Sequence, residues 1–135
     1  MKRRQFLTIA ACLTLPSLLT ACAGRTPLVT EGYLGGLTPS EVYRCIVQAG
    51  KKRKWVVAKI DDHHLEATYR KAYHVAVLDI TLEQDSYQIS VSPKTSSSLR
   101  DEDGKVHRKV NQWMELLKAD IDRTLQEAEL KKTSI

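Results

Sequence analysis

The chain has 135 residues, 42% of them hydrophobic, which bounds it to one domain at most. Its formal charge of +5 falls to +2 once Lys2, Arg3 and Arg4 at the very start are set aside, because 18 Lys and Arg then face 16 Asp and Glu. A nucleic-acid binder carries a stronger and more clustered excess, so that class of partner is excluded.

"MKRR" places its cations directly before the apolar run Phe6 to Leu19, the layout of a secretory signal. Pro16 breaks the run, which falls short of the ~20 apolar residues a spanning helix needs. Leu19-Thr20-Ala21-Cys22 resembles the bacterial lipobox, in which the cysteine is diacylated on sulfur and becomes the new N-terminus after cleavage. Ile9-Ala10-Ala11-Cys12 has the same form, but it leaves fewer apolar residues than the roughly 7–15 of such a signal. Cys22 is therefore the expected lipid-attachment residue and 1–21 the signal peptide. "KRRQFLT" also resembles the twin-arginine export signal at Arg3, Arg4, Phe6 and Leu7, and the general secretory route stays open beside it. Each buried methylene adds about 0.8 kcal/mol of membrane affinity, so two or three acyl chains would hold firmly. Ala23 follows Cys22, where enteric bacteria tend to use Asp to retain lipoproteins in the inner membrane. The resemblance thus implies the periplasmic face of the outer membrane. Only Cys45 remains beyond Cys22, so no intramolecular disulfide can form, although the compartment would allow one.

Residues 22–37 are rich in Gly, Thr and Pro without helical or strand periodicity, and read as a flexible tether. A helix follows, with Thr38 as N-cap, Pro39 in the first turn and Glu41 completing a capping box. Val42, Cys45, Ile46 and Ala49 form its apolar face and Gly50 ends it. Cys45 reads as a small buried hydrophobe rather than a reactive thiol. Lys51 to Lys54 read as a solvated loop near a helix C-terminus, and juxtamembrane cations could also meet anionic headgroups.

From Trp55 the period becomes two. "WVVAKI", "HLEATYR", "YHVAVLDITLE" and "SYQISVS" predict four strands separated by short polar breaks, an antiparallel meander. "SPKTSSSLRDEDG" reads as a loop. A last helix is predicted from about Lys105 to Leu130, its stripe made by Val106, Val110, Trp113, Met114, Leu117, Ile121 and Leu125, with 131–135 as a disordered tail. The expected fold is α+β, in the order α-β-β-β-β-α, with two helices on one face of a four-stranded sheet in a single domain over 38–130.

No constellation demands catalysis. His63-His64 beside Asp61-Asp62 invites a metal, but adjacent strand residues point to opposite faces and no third ligand is spaced to help. The serine run Ser96 to Ser98 lacks a nucleophile-elbow setting. No phosphate loop, dinucleotide glycine pattern or zinc spacing occurs, so neither an enzyme nor a cofactor is expected. His107 and Asn111 stand one helical turn apart and, with Ser98, form a possible recognition patch; the other reading has His107 bonding the serine loop beside it.

Tyr87, Ile89, Ser98, Leu99, Val106, His107, Asn111 and Trp113 together resemble the pattern of a group of small proteobacterial lipoproteins, over roughly residues 38 to 125. The group's pattern is a Y-x-I strand, a serine-and-leucine loop and a helix opening with an apolar-His pair and carrying Asn-x-Trp. The loop "LRDEDGK" is longer and more acidic here. The resemblance implies an envelope lipoprotein and no activity. Two roles are expected to compete. One is a non-catalytic module binding a protein or envelope polymer through its open sheet face, its edge strand or the serine loop. The other is a small-ligand or lipid carrier with a pocket between helices and sheet.

Overall fold

The computed structural model describes residues 24–101 and 103–134. The signal segment 1–21 and Cys22 lie outside the described residues. The elements run β1 (Val29–Tyr33), α1 (Pro39–Lys52), β2 (Val56–Asp61), β3 (His64–Lys71), β4 (His74–Leu82), β5 (Ser86–Val91) and α2 (Arg108–Thr133), with a 3₁₀ turn at Ser97–Leu99 before α2. The architecture is α+β with an antiparallel sheet and two helices. The sheet has five strands rather than the four expected, in the order β1-β5-β4-β3-β2.

Four of the strands follow one another as hairpins. The fifth, β1, comes from the segment read as tether and pairs antiparallel with β5, Thr30 opposite Ile89 and Gly32 opposite Tyr87. Helix α1 then carries the chain from the β1 edge to the β2 edge. Register sets the faces, because residues directly opposite share a side. Val57, Ala67, Leu78 and Val91 form one inward row, and Leu65, Ile80 and Ile89 another. Both helices pack on this face. Ile46, Val110, Met114, Leu117 and Ile121 are fully buried in the same core cluster. Trp55, Tyr69 and Trp113 stack in a row with centroids 5.3 and 5.0 Å apart, joining the start of β2 and the end of β3 to α2.

The capping box on α1 is present in full, Thr38 and Glu41 each bonding the other's backbone N–H. The helix runs past Gly50 to Lys52, and Lys54 takes the left-handed conformation (φ 70) in which the chain turns away. Gly50 serves closeness instead of termination. A β-carbon there would sit 2.9 Å from Val57 Cγ2, so only glycine lets the end of α1 lie against β2. Helix α2 starts at Arg108, because Val106 is held in backbone bridges to Arg25 and Arg100, and it continues through Thr133, into the segment expected as a tail.

The helices are antiparallel neighbours tied at both ends of α1. Lys132 Nζ donates to Glu41 Oε1 at 2.9 Å. Arg53 Nε donates to Asp120 Oδ2 at 2.6 Å, and Arg123 bonds the other oxygen at 2.9 Å. Burial alone would raise the pKa of Asp120, which is 2% exposed, but the two guanidinium hydrogen bonds outweigh it and leave the carboxyl below its ordinary value.

Candidate functional site

The three residues expected as a recognition patch are each bound into the fold. His107 is the N-cap of α2, its Nδ1 accepting from Lys109 N at 3.1 Å, while its own backbone N–H bonds Leu99 O. Asn111 clamps the N-terminal segment, its Oδ1 accepting from Leu28 N and its Nδ2 donating to Thr26 O, both at 2.9 Å. Ser98 Oγ lies 2.8 Å from His74 Nδ1 and 3.0 Å from Ser96 Oγ. The three thus meet three different partners. His107 joins the serine loop through its backbone, not its ring.

The serine loop does the work of a missing strand. β5 ends at Val91, and beyond it the first half of β4 would have bare backbone groups. Ser92 N bonds Val77 O and Ser96 N bonds Val75 O, both at 2.8 Å. The buried Thr95 hydroxyl accepts from Val77 N and donates to Val77 O, each at 3.0 Å, and Ser96 Oγ accepts from Val75 N. Hydroxyls stand in for peptide groups, which explains the density of Ser and Thr.

Other candidates resolve the same way. His64 Nε2 lies 2.9 Å from Asp79 on the open face, and His63 is exposed at the β2–β3 turn, its N–H bonded to Asp61. No group of three His, Cys, Asp or Glu side chains that could hold a metal occurs among the described residues. Cys45 is buried with its Sγ toward Thr124 O, and burial pushes its thiol pKa up, away from reactivity. The open sheet face is mixed: it carries the His64–Asp79 and Lys94–Glu66 pairs, and Val29, Tyr33 and Val56 are exposed on it.

A pronounced concavity lies elsewhere. The end of α1 touches β2 at Gly50, but its N-terminal half faces Lys59 and Leu65 across a groove of about 1310 Å³. Val42, Tyr43 and Val47 form its helical wall, with Leu37 just before the helix, Leu65 and Leu82 form its floor, and Asp62, His63 and Glu83 its polar rim. Beside it runs β2, an edge strand with Val56 69% and Ile60 51% exposed. A bulge between Lys59 and Asp61 ends the regular edge, so its pairing stretch is Val56 to Lys59. The groove could not be read from the sequence, because each residue in it also fits an ordinary amphipathic pattern.

Neither a family model, nor a curated protein, nor a solved structure matches this chain. Among the described residues no helix is long and apolar enough to cross a membrane.

Proposed function

We propose that this is a lipid-anchored envelope protein, held through acyl chains on Cys22 at the periplasmic face of the outer membrane. It acts there as a non-catalytic module that receives an extended segment of a partner protein between α1 and the edge of β2. The lipobox-like Leu19-Thr20-Ala21-Cys22 supports the anchor. The groove beside an open strand edge carries the binding reading. An extended segment can add to such an edge through its backbone and place alternate side chains on the apolar wall of Val42, Tyr43 and Val47. The groove, about 1310 Å³, is partly open to solvent rather than an enclosed cavity. That favours a chain over an enclosed ligand, and the apolar wall keeps a lipid carrier as the second reading.

The test is photocrosslinking in cells with the probe at Tyr43, against a probe at Ser90 on the open face. A single protein neighbour caught from Tyr43, not from Ser90, and lost in Val47→Glu is expected. Neighbours caught only from Ser90 would overturn the reading. Lipid copurifying with the wild type but not with Val47→Glu would move the groove to the carrier role.

A further inference from the structure

The two ends of the sheet differ in charge. Arg70 and Lys71 end β3 at the β3–β4 turn, whereas Asp61 and Asp62 stand at the β2–β3 turn and Glu83 and Asp85 in the β4–β5 turn. In an antiparallel succession the first turn lies at one end and the other two at the opposite end. The cationic end is extended by α2, whose first turn bears Arg108 and Lys109 and no acid, although Asp101 and Asp103 stand on the loop just before it. Cations there oppose the helix dipole, which favours anions at an N-terminus, so the arrangement works against the helix itself. The β3–β4 turn also exposes Tyr73 (76%), its ring stacked on His74 at 4.2 Å between centroids. Two hydrogen bonds, His74 Nδ1 to Ser98 Oγ and His107 N to Leu99 O, link this turn through the serine loop to the start of α2.

The chain leaves from the same end. Arg25 exchanges two backbone hydrogen bonds with Val106, each 2.8 Å, which fixes it beside the start of α2. Cys22 is three residues earlier in sequence, and three extended residues span about 10 Å at most. An acyl anchor on Cys22 would therefore hold this end close to the bilayer, comparable with the ~8 Å screening length at physiological ionic strength.

We propose that the end of the fold formed by the β3–β4 turn and the first turn of α2 is a docking surface for anionic lipid headgroups. Arg70, Lys71, Arg108 and Lys109 meet the phosphates, and Tyr73 enters the headgroup layer, where amphipathic rings settle. The acidic turns and the polar rim of the groove then face away from the membrane, toward a partner. This rests on the lipid-anchor reading above.

The experiment uses the intact protein purified from membranes, its N-terminal peptide weighed for acyl chains, in vesicles of phosphatidylglycerol and phosphatidylcholine. A fluorophore is attached at Ser97→Cys beside the β3–β4 turn or at Gln84→Cys at the far end, with a headgroup-linked quencher in the lipid. Several-fold stronger quenching at 97 than at 84 is expected. That contrast should fade in 1 M salt and in the variant Arg70→Glu/Lys71→Glu/Arg108→Glu/Lys109→Glu, while all samples still sediment with the vesicles. The charge-reversed variant should melt no lower than wild type, because acids at residues 108 and 109 suit the helix dipole. Equal quenching at both sites, or a contrast unchanged by charge reversal, overturns the docking surface and leaves the anchor standing. A mature chain without acyl mass at Cys22 overturns the anchor, and the proposal with it.

Discussion

Gly32 shows how tightly β1 is seated. The Tyr87 side chain, fully buried, crosses over β1 beside Gly32 to donate its hydroxyl hydrogen bond to Asp122 on α2. A β-carbon at Gly32 would collide with the Tyr87 ring, whereas one at Gly36 would meet nothing within 4 Å. Gly32→Ala should therefore lower stability by roughly 1–3 kcal/mol through overpacking, and Gly36→Ala should change it little, as read by denaturant unfolding. Thr95 and Ser98 make a second pair of contrasts in one loop. Thr95→Val leaves the Val77 N–H without its buried partner and should cost about 1–3 kcal/mol. Ser98 is exposed, so Ser98→Ala should stay within about 0.5 kcal/mol. Equal losses in the two variants would mean that the loop does not stand in for a strand.

At the scale of elements, β1 is the lesson in what a sequence hides. Its inward positions are Thr30 and Gly32, not apolar residues, and at Gly32 the Tyr87 ring already fills the space a side chain would take. No apolar alternation was there to read, and "LVTEGYLGG" looked like a tether. By contrast β3 to β5 and both helices were legible, since each buries one regular apolar side, and the exposed β2 was legible from its β-rich run after Trp55; even the capping box of α1 was visible residue by residue. The candidate patch was only half legible. His107 and Asn111 stood out as polar residues beside an apolar stripe, but spacing could not say that Asn111 faces the chain's own residues 26 to 28. This docking gives a sharp expectation. Asn111→Ala removes both bonds and should cost about 1–3 kcal/mol. Hydrogen exchange should accelerate most at Leu28 and along Val29–Tyr33, with β4 nearly unaffected. Uniform acceleration across the sheet would show that Asn111 supports the whole fold rather than the β1 seam.

At the scale of the molecule, α1 and α2 are held together at two carboxylates, and this fixes the acid limb of stability. The Thr38 backbone N–H, then Lys132, bring the Glu41 carboxyl down from 4.5 to about 2. Asp120 is likewise lowered, its burial outweighed by Arg53 and Arg123. A carboxylate with a depressed folded-state pKa adds stability above its ordinary value, and that stability is lost as pH falls through the folded-state value. Thermal stability should thus hold from neutrality down to about pH 5 and then decline toward pH 2, as protons enter the unfolded chain before the folded one. Glu41→Gln keeps an oxygen to accept from the Thr38 N–H but no longer titrates, so its decline below about pH 4.5 should be shallower. Asp120→Asn should start lower at neutral pH, having lost its charge between two guanidinium groups, and should also decline less steeply. Scanning calorimetry across pH on the three proteins separates these cases. Parallel acid limbs in all three would place the titrating groups outside the helix pair, whereas two shallower limbs identify the α1–α2 seam as the part that acid opens first.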